Sequence, residues 1–144
     1  MNIYDRLQKD HEAQKSLAAQ LEDTSGDSEQ RRKLFAELRS EAEAHANAEE
    51  QTFYAALIEN PESQEKARHS IAEHKTASDL LEELSNLEMS SSGWLQKFKQ
   101  FKDELEHHID EEENEVFKLA REVLAKNEAE SMVSVFERRK ADEL

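Results

Sequence analysis

The stretch His45-Ala-Asn-Ala-Glu49-Glu50-Gln-Thr-Phe53-Tyr54 returns 63 residues later as His108-Ile-Asp-Glu-Glu112-Glu113-Asn-Glu-Val116-Phe117. Both copies hold His-x-x-x-Glu. At 3.6 residues per turn, positions i and i+4 stack on one face of a helix, so each copy offers an imidazole and a carboxylate to one point in space. The same offset recurs upstream, where Asp10-His11 is followed by Glu73-His74, and Leu17, Ala18 and Leu21 keep step with Leu80, Leu81 and Leu84. The repeating unit is therefore a helix pair: its first helix brings one His, its second brings His and Glu. Two units give four helices, four His and two Glu, a set that holds two metal ions.

A chain of 144 residues is expected to form one domain. Two Gly, one Pro and a charged fraction of 37% leave little room for a sheet with many tight turns, and predict an all-α fold. With only 36% hydrophobic residues, the apolar side chains must lie on narrow stripes, as in a slender bundle. The formal net charge of -15 repels phosphate backbones and anionic bilayers, so neither nucleic acid nor membrane is an expected partner. Cysteine is absent, which excludes disulfides, thiolate sites and iron-sulfur clusters and leaves imidazole and carboxylate as ligands. The Met1-Asn-Ile-Tyr-Asp-Arg start lacks the apolar run of a signal peptide, and a cytoplasmic location is expected. The Ala141-Asp-Glu-Leu144 end resembles a retention tail, but without an entry signal it is read as coincidence.

In chain order, the first helix spans about Ile3 to Glu22, with Ile3, Leu7, His11, Gln14, Ala18 and Leu21 inward. Gly26 breaks the chain, with Asp27 or Ser28 as the next N-cap. The second helix runs to about Glu59 and carries Leu34, Leu38, Ala42, His45, Glu49, Thr52, Phe53 and Ala56 on its stripe. Pro61 is placed in the first turn of the third helix, whose inward residues are Ala67, Ile71, His74, Ser78, Leu81 and Leu84. Ser90 to Gly93 form a loop, and the fourth helix follows with Phe98, Phe101, Leu105, His108, Glu112, Val116, Leu119 and Val123. Residues 1–125 thus make the bundle. After Asn127 a shorter amphipathic segment, with Ala129, Met132, Val133 and Phe136, packs on the bundle or mediates self-association or binding of a partner protein.

A single His on an apolar stripe is ordinarily a hydrogen-bonded core residue. Four at one interior level, two with Glu a turn away, read differently, because two buried carboxylates without a cation would cost several kcal/mol. The candidate ligands are His11, His45, Glu49, His74, His108 and Glu112. His69 and His107 have acidic neighbours and are assigned to the solvated face. Glu50 and Glu113 point about 100° from the ligands and are assigned to outer contacts or solvent. Tyr54, nine residues past His45, faces away from the metals on an unbent helix. Two His per ion and two bridging Glu leave each ion short of six ligands, which favours ions that also accept an oxo or hydroxo bridge and an exogenous ligand; iron is the first choice.

Together these motifs resemble the hemerythrin-like, or HHE cation-binding, domain. The resemblance covers roughly residues 1 to 125. It implies an up-down-up-down four-helix bundle with a non-haem di-iron centre, terminal ligands His11, His45, His74 and His108, and bridges Glu49 and Glu112. Members bind or react with dioxygen, peroxide or nitric oxide, or sense iron. The dioxygen carriers of the family have a further His where this chain has Ser70, and an Asp where it has Glu113, so reversible transport is not the expected role. Four His and two Glu imply a nearly symmetric site, and no clear enzyme follows from sequence. The competing readings are a metal-free helical interaction module and a ferritin-like carboxylate site; the latter finds only Glu104-x-x-His107.

Overall fold

The computed structural model describes residues 1–144, and 112 backbone hydrogen bonds hold an all-helical chain without strands. Helix α1 (Ile3–Glu22) starts where Asn2 Oδ1 accepts the amide of Asp5 at 2.9 Å. Gly26, at φ +64°, makes the left-handed turn that a side chain would resist. Ser28, rather than Asp27, then caps α2 (Glu29–Glu49) by accepting the amide of Arg31. Helix α2 continues through a π-helical turn (Glu50–Tyr54) into a last α-turn (Ala55–Ile58).

Pro61 lies outside the next helix. Asn60 Oδ1 accepts the Glu62 amide and Ser63 Oγ donates to the Leu57 carbonyl, so a side-chain-held turn occupies this stretch and α3 begins only at Gln64 (Gln64–Ser85). Helix α4 (Ser92–Glu111) starts inside the stretch expected as loop, with Ser91 as N-cap, and passes through a second π-turn (Glu112–Val116) into Phe117–Val123. The C-terminal segment is longer than its apolar pattern marks. It forms α5 (Lys126–Glu143), started by Glu128 Oε1 on the Ala125 amide.

Helices α1 to α4 form an antiparallel bundle, and α5 lies across α1 and α2. There Phe136 is fully buried, a contribution of about 2 to 3 kcal/mol. Lys140 Nζ reaches Asp10 at 2.9 Å and Glu41 at 2.5 Å.

The apolar core is split in two. One cluster gathers Ile3, Leu7, Phe53, Leu57, Val116, Phe117 and Phe136; the other gathers Leu21, Leu38, Leu81, Trp94, Phe98 and Phe101. At the second end Arg31 ties two loops together, donating to the Thr24 and Met89 carbonyls while its guanidinium lies 4.7 Å over the Trp94 ring. Between the clusters lies a polar layer. No helix is long and apolar enough to cross a membrane.

Candidate metal centre

The polar layer contains all six expected ligands. One atom each from His11, His45, Glu49 and Glu112 falls within 4.8 Å of the others, and the same holds for Glu49, His74, His108 and Glu112. The two glutamates belong to both groups, and their oxygens divide between them. Glu49 Oε2 lies 3.6 Å from His45 Nε2, while its Oε1 lies 3.1 Å from His74 Nε2. Glu112 Oε1 lies 3.1 Å from His11 Nε2, while its Oε2 lies 3.2 Å from His108 Nε2. Each carboxylate therefore faces one imidazole pair with one oxygen and the other pair with the second, as a bridge between two ions requires.

These contacts are close without being hydrogen bonds. His11 Nε2, both oxygens of Glu49 and Glu112 Oε1 are buried with no hydrogen-bond partner. Four such atoms in one layer would cost about 1 to 3 kcal/mol apiece, and more where charged. Atoms 3.1 Å apart that do not bond one another are placed as neighbouring donors around a common point. His74 Nε2 and His108 Nε2, 3.0 Å apart, have the spacing of two adjacent donors each about 2.1 Å from one ion. The donor set fits two borderline first-row ions.

Every imidazole is oriented by a carboxylate behind it. The Nδ1 atoms contact Glu113 (His11, 2.6 Å), Asp10 (His45, 2.7 Å), Glu50 (His74, 2.7 Å) and Glu73 (His108, 2.9 Å). An Nδ1–H donated outward leaves the Nε2 lone pair aimed inward, the tautomer a metal needs. Glu50 and Glu113 thus take the outer-contact role considered for them, and the repeat equivalents Asp10 and Glu73 take the other two positions. In the metal-free protein burial opposes charge on His45, but Glu49 and Asp10 outweigh it and raise this imidazole to about 10. His108 is likewise lifted to about 10, against burial, by Glu112 and Glu73. Burial alone would raise Glu112, yet its contacts with His108 and His11 hold it well below the usual carboxylate range.

Tyr54 departs from the sequence expectation. It is fully buried and donates its phenol proton to Glu112 Oε2, with its ring 5.6 Å from His74. The π-turn immediately after Glu49 accommodates one extra residue, which swings Tyr54 back by about 100° toward the interior. Burial, and then Glu112 and Glu49, push its ionisation well above the ordinary phenol value. The repeat equivalent is Phe117, rotated inward by the second π-turn and stacked on His11 at 6.3 Å. The site is therefore symmetric in its imidazoles and carboxylates but carries a phenol on one side only. Ser70 is buried beside that phenol. No periodicity marks a π-turn, so Tyr54 was legible only as the tenth residue of the repeated stretch.

His69 and His107 are exposed, as expected. A cleft of about 440 Å³ reaches the layer, passing Ala42, Ala46, Ala77 and Ser78 to His11, His45, His74 and His108.

Residues 2–120 match the hemerythrin HHE cation binding domain. The chain belongs to this family. Among relatives, uncharacterized proteins of Mycobacterium tuberculosis and Mycobacterium bovis are each 29% identical to it over 116 residues, 81% of this chain and 70% of theirs. The crystal structure of a hemerythrin HHE cation binding domain-containing protein from Mycobacterium kansasii superposes with a TM-score of 0.86 at 28% identity, covering 99% of this chain and 89% of that one. That near-complete coverage extends beyond the four-helix domain of this HHE protein into α5.

Proposed function

We propose that this HHE protein is a non-haem di-iron protein whose centre binds or reacts with dioxygen, peroxide or nitric oxide. The observation that carries this reading is the division of Glu49 and Glu112 between two imidazole pairs, with four buried donor atoms in the same layer left without hydrogen bonds. His11 and His45 would hold one ion and His74 and His108 the other, with both glutamates shared. Iron ions held there would supply two-electron redox chemistry toward a small ligand.

The chain's own residues define what reaches such a centre. The apolar clusters on either side of the layer cover its flanks, and the cleft between α2 and α3 gives a path of entry. Tyr54 places an ionisable O–H at Glu112, on the His74 side, where it can give up or recover a proton as charge in the layer changes. Phe117 offers no proton donor at the equivalent position on the His11 side.

The test is metal analysis with an optical spectrum on protein purified aerobically from iron-supplied cells, beside the His74→Ala, His108→Ala double variant. Two irons per chain with near-ultraviolet charge-transfer bands, lost in the variant, are expected. A parent without metal whose variant is equally helical and stable would leave an interaction module as the better account. An iron-sensing role is distinguished by removing the metal, since a sensor's helicity collapses with its ions.

A further inference from the structure

Two imidazoles take no part in the centre, yet they repeat its pattern. His69 stands four residues before Glu73, and His107 four before Glu111, so the outer face of α3 and α4 carries the His-x-x-x-Glu spacing of the interior. The two helices bring these pairs together. His69 Nε2 lies 3.4 Å from Glu73 Oε2 and 3.2 Å from Glu111 Oε1. His107 Nε2 lies 3.3 Å from Glu73 Oε2 and 3.2 Å from Glu111 Oε2. One atom each from His69, Glu73 and Glu111 falls within 4.8 Å of the others. Separations near roughly 3.3 Å are those of tetrahedral nitrogen and oxygen donors 2.0 to 2.1 Å from an ion.

Glu111 Oε1 is buried and accepts no hydrogen bond, with His69 Nε2 at 3.2 Å and Lys66 Nζ at 3.4 Å as its cationic neighbours. The first half of the chain supplies an internal control. There the repeat equivalent of Glu73 is Asp10, held by Arg6 at 2.7 Å and by Lys140 at 2.9 Å. Position 69 corresponds to Arg6, 107 to Ala44 and 111 to Ala48. Where one half sets Arg6 and Lys140 against a single carboxylate beneath α5, the other sets two imidazoles and Lys66 around two carboxylates on a face that α5 does not cover.

We propose that His69, Glu73, His107 and Glu111 form a third, mononuclear site for a first-row divalent ion such as zinc, outside the bundle. The two exposed imidazoles close around an ion already flanked by the two carboxylates. Glu73 joins this site to the centre, because its Oε1 accepts from His108 Nδ1 at 2.9 Å while its Oε2 faces the outer imidazoles. An ion drawing on Glu73 weakens that hydrogen bond and so alters the donor strength of His108.

The test uses the full chain with its centre loaded with iron and counted before zinc is added, so a failure of the di-iron reading shows first and separately. Equilibrium dialysis against zinc in the micromolar range should then add one ion per chain and shift the absorption bands of the iron pair. In His69→Ala, His107→Ala the additional ion should bind at least about tenfold more weakly. His69→Arg, which copies Arg6, should abolish it while keeping the parent's melting temperature and iron content. No additional zinc, or unchanged binding in both variants, overturns the site. Unshifted bands with the extra zinc bound overturn the link through Glu73.

Discussion

Tyr54 and Phe117 stand 63 residues apart at equivalent positions, and each lies against an imidazole from the opposite half, Tyr54 on His74 and Phe117 on His11. Only Tyr54 carries a hydroxyl, which it gives to Glu112. The Tyr54→Phe variant should keep two metals but lose about 1.5 to 3 kcal/mol of metal-free stability, the worth of a hydrogen bond to a charged group. Any visible phenolate-to-iron band of the loaded parent should vanish with it, leaving the near-ultraviolet bands. Retention of the visible band would show that Tyr54 does not touch the metal.

Replacing a bridge separates the cost of burying charge from its use. Glu49→Leu should bind less than one metal per chain, since both imidazole pairs lose an oxygen, and its metal-free form should be less stable than the parent by about 3 to 5 kcal/mol, because the buried His45 loses the carboxylate that favours its charge. Urea midpoints with and without chelator check both halves of this expectation. A metal-free variant at least as stable as the parent would mean that Glu49 contributes to folding only through an ion.

Protons and metal compete for the same nitrogens. His45 and His108 are raised to about 10 in the metal-free protein, so the stability they confer is complete below the ordinary imidazole value of 6.5 and is lost as pH climbs toward 10. Asp10 and Glu112 are lowered instead, so their contribution is present above the ordinary carboxylate range and is lost in acid. Denaturation midpoints of the metal-free protein should peak near about pH 5 to 6.5. The loaded protein, whose imidazoles are already deprotonated, should show no decline between 6.5 and 10, and metal uptake should release protons and weaken as pH falls.

Helix α5 acts on the centre through His45. Phe136 packs edge-on to the His45 ring at 5.5 Å, and Lys140 holds the Asp10 that orients its Nδ1. Phe136→Ala should cost about 3 to 5 kcal/mol. Lys140→Met, which leaves Asp10 with Arg6 alone, should weaken the metal on the His11 and His45 side about 10- to 100-fold while sparing the other. Stepwise chelation followed by metal analysis distinguishes the two ions; equal loss from both would break the link between α5 and His45.

Much of this was legible in the sequence because period and chemistry coincide. The inward stripe of α1 from Ile3 to Leu21 is buried residue for residue, and His45, Glu49 and Glu112 sit where spacing put them. What escaped was set by features with no local period. A π-turn shifts phase by one residue and turned Tyr54 and Phe117 inward, side-chain turns around Asn60 and Ser63 displaced the start of α3 past Pro61, and Ser78 is exposed because the bundle opens there into a cleft. The role of Asp10 and Glu73 depended on rotamers and neighbouring helices, which a one-dimensional repeat does not encode.

The split core bears on how the protein comes apart. Each apolar cluster closes one end of the bundle, and between them the four helices meet mainly through ligands rather than hydrocarbon. With ions in place the ends would be mechanically joined, and all-or-none unfolding is the expected outcome. Without them the layer would be the weakest plane and the two ends are expected to loosen at different temperatures, which would make the metal a source of cooperativity.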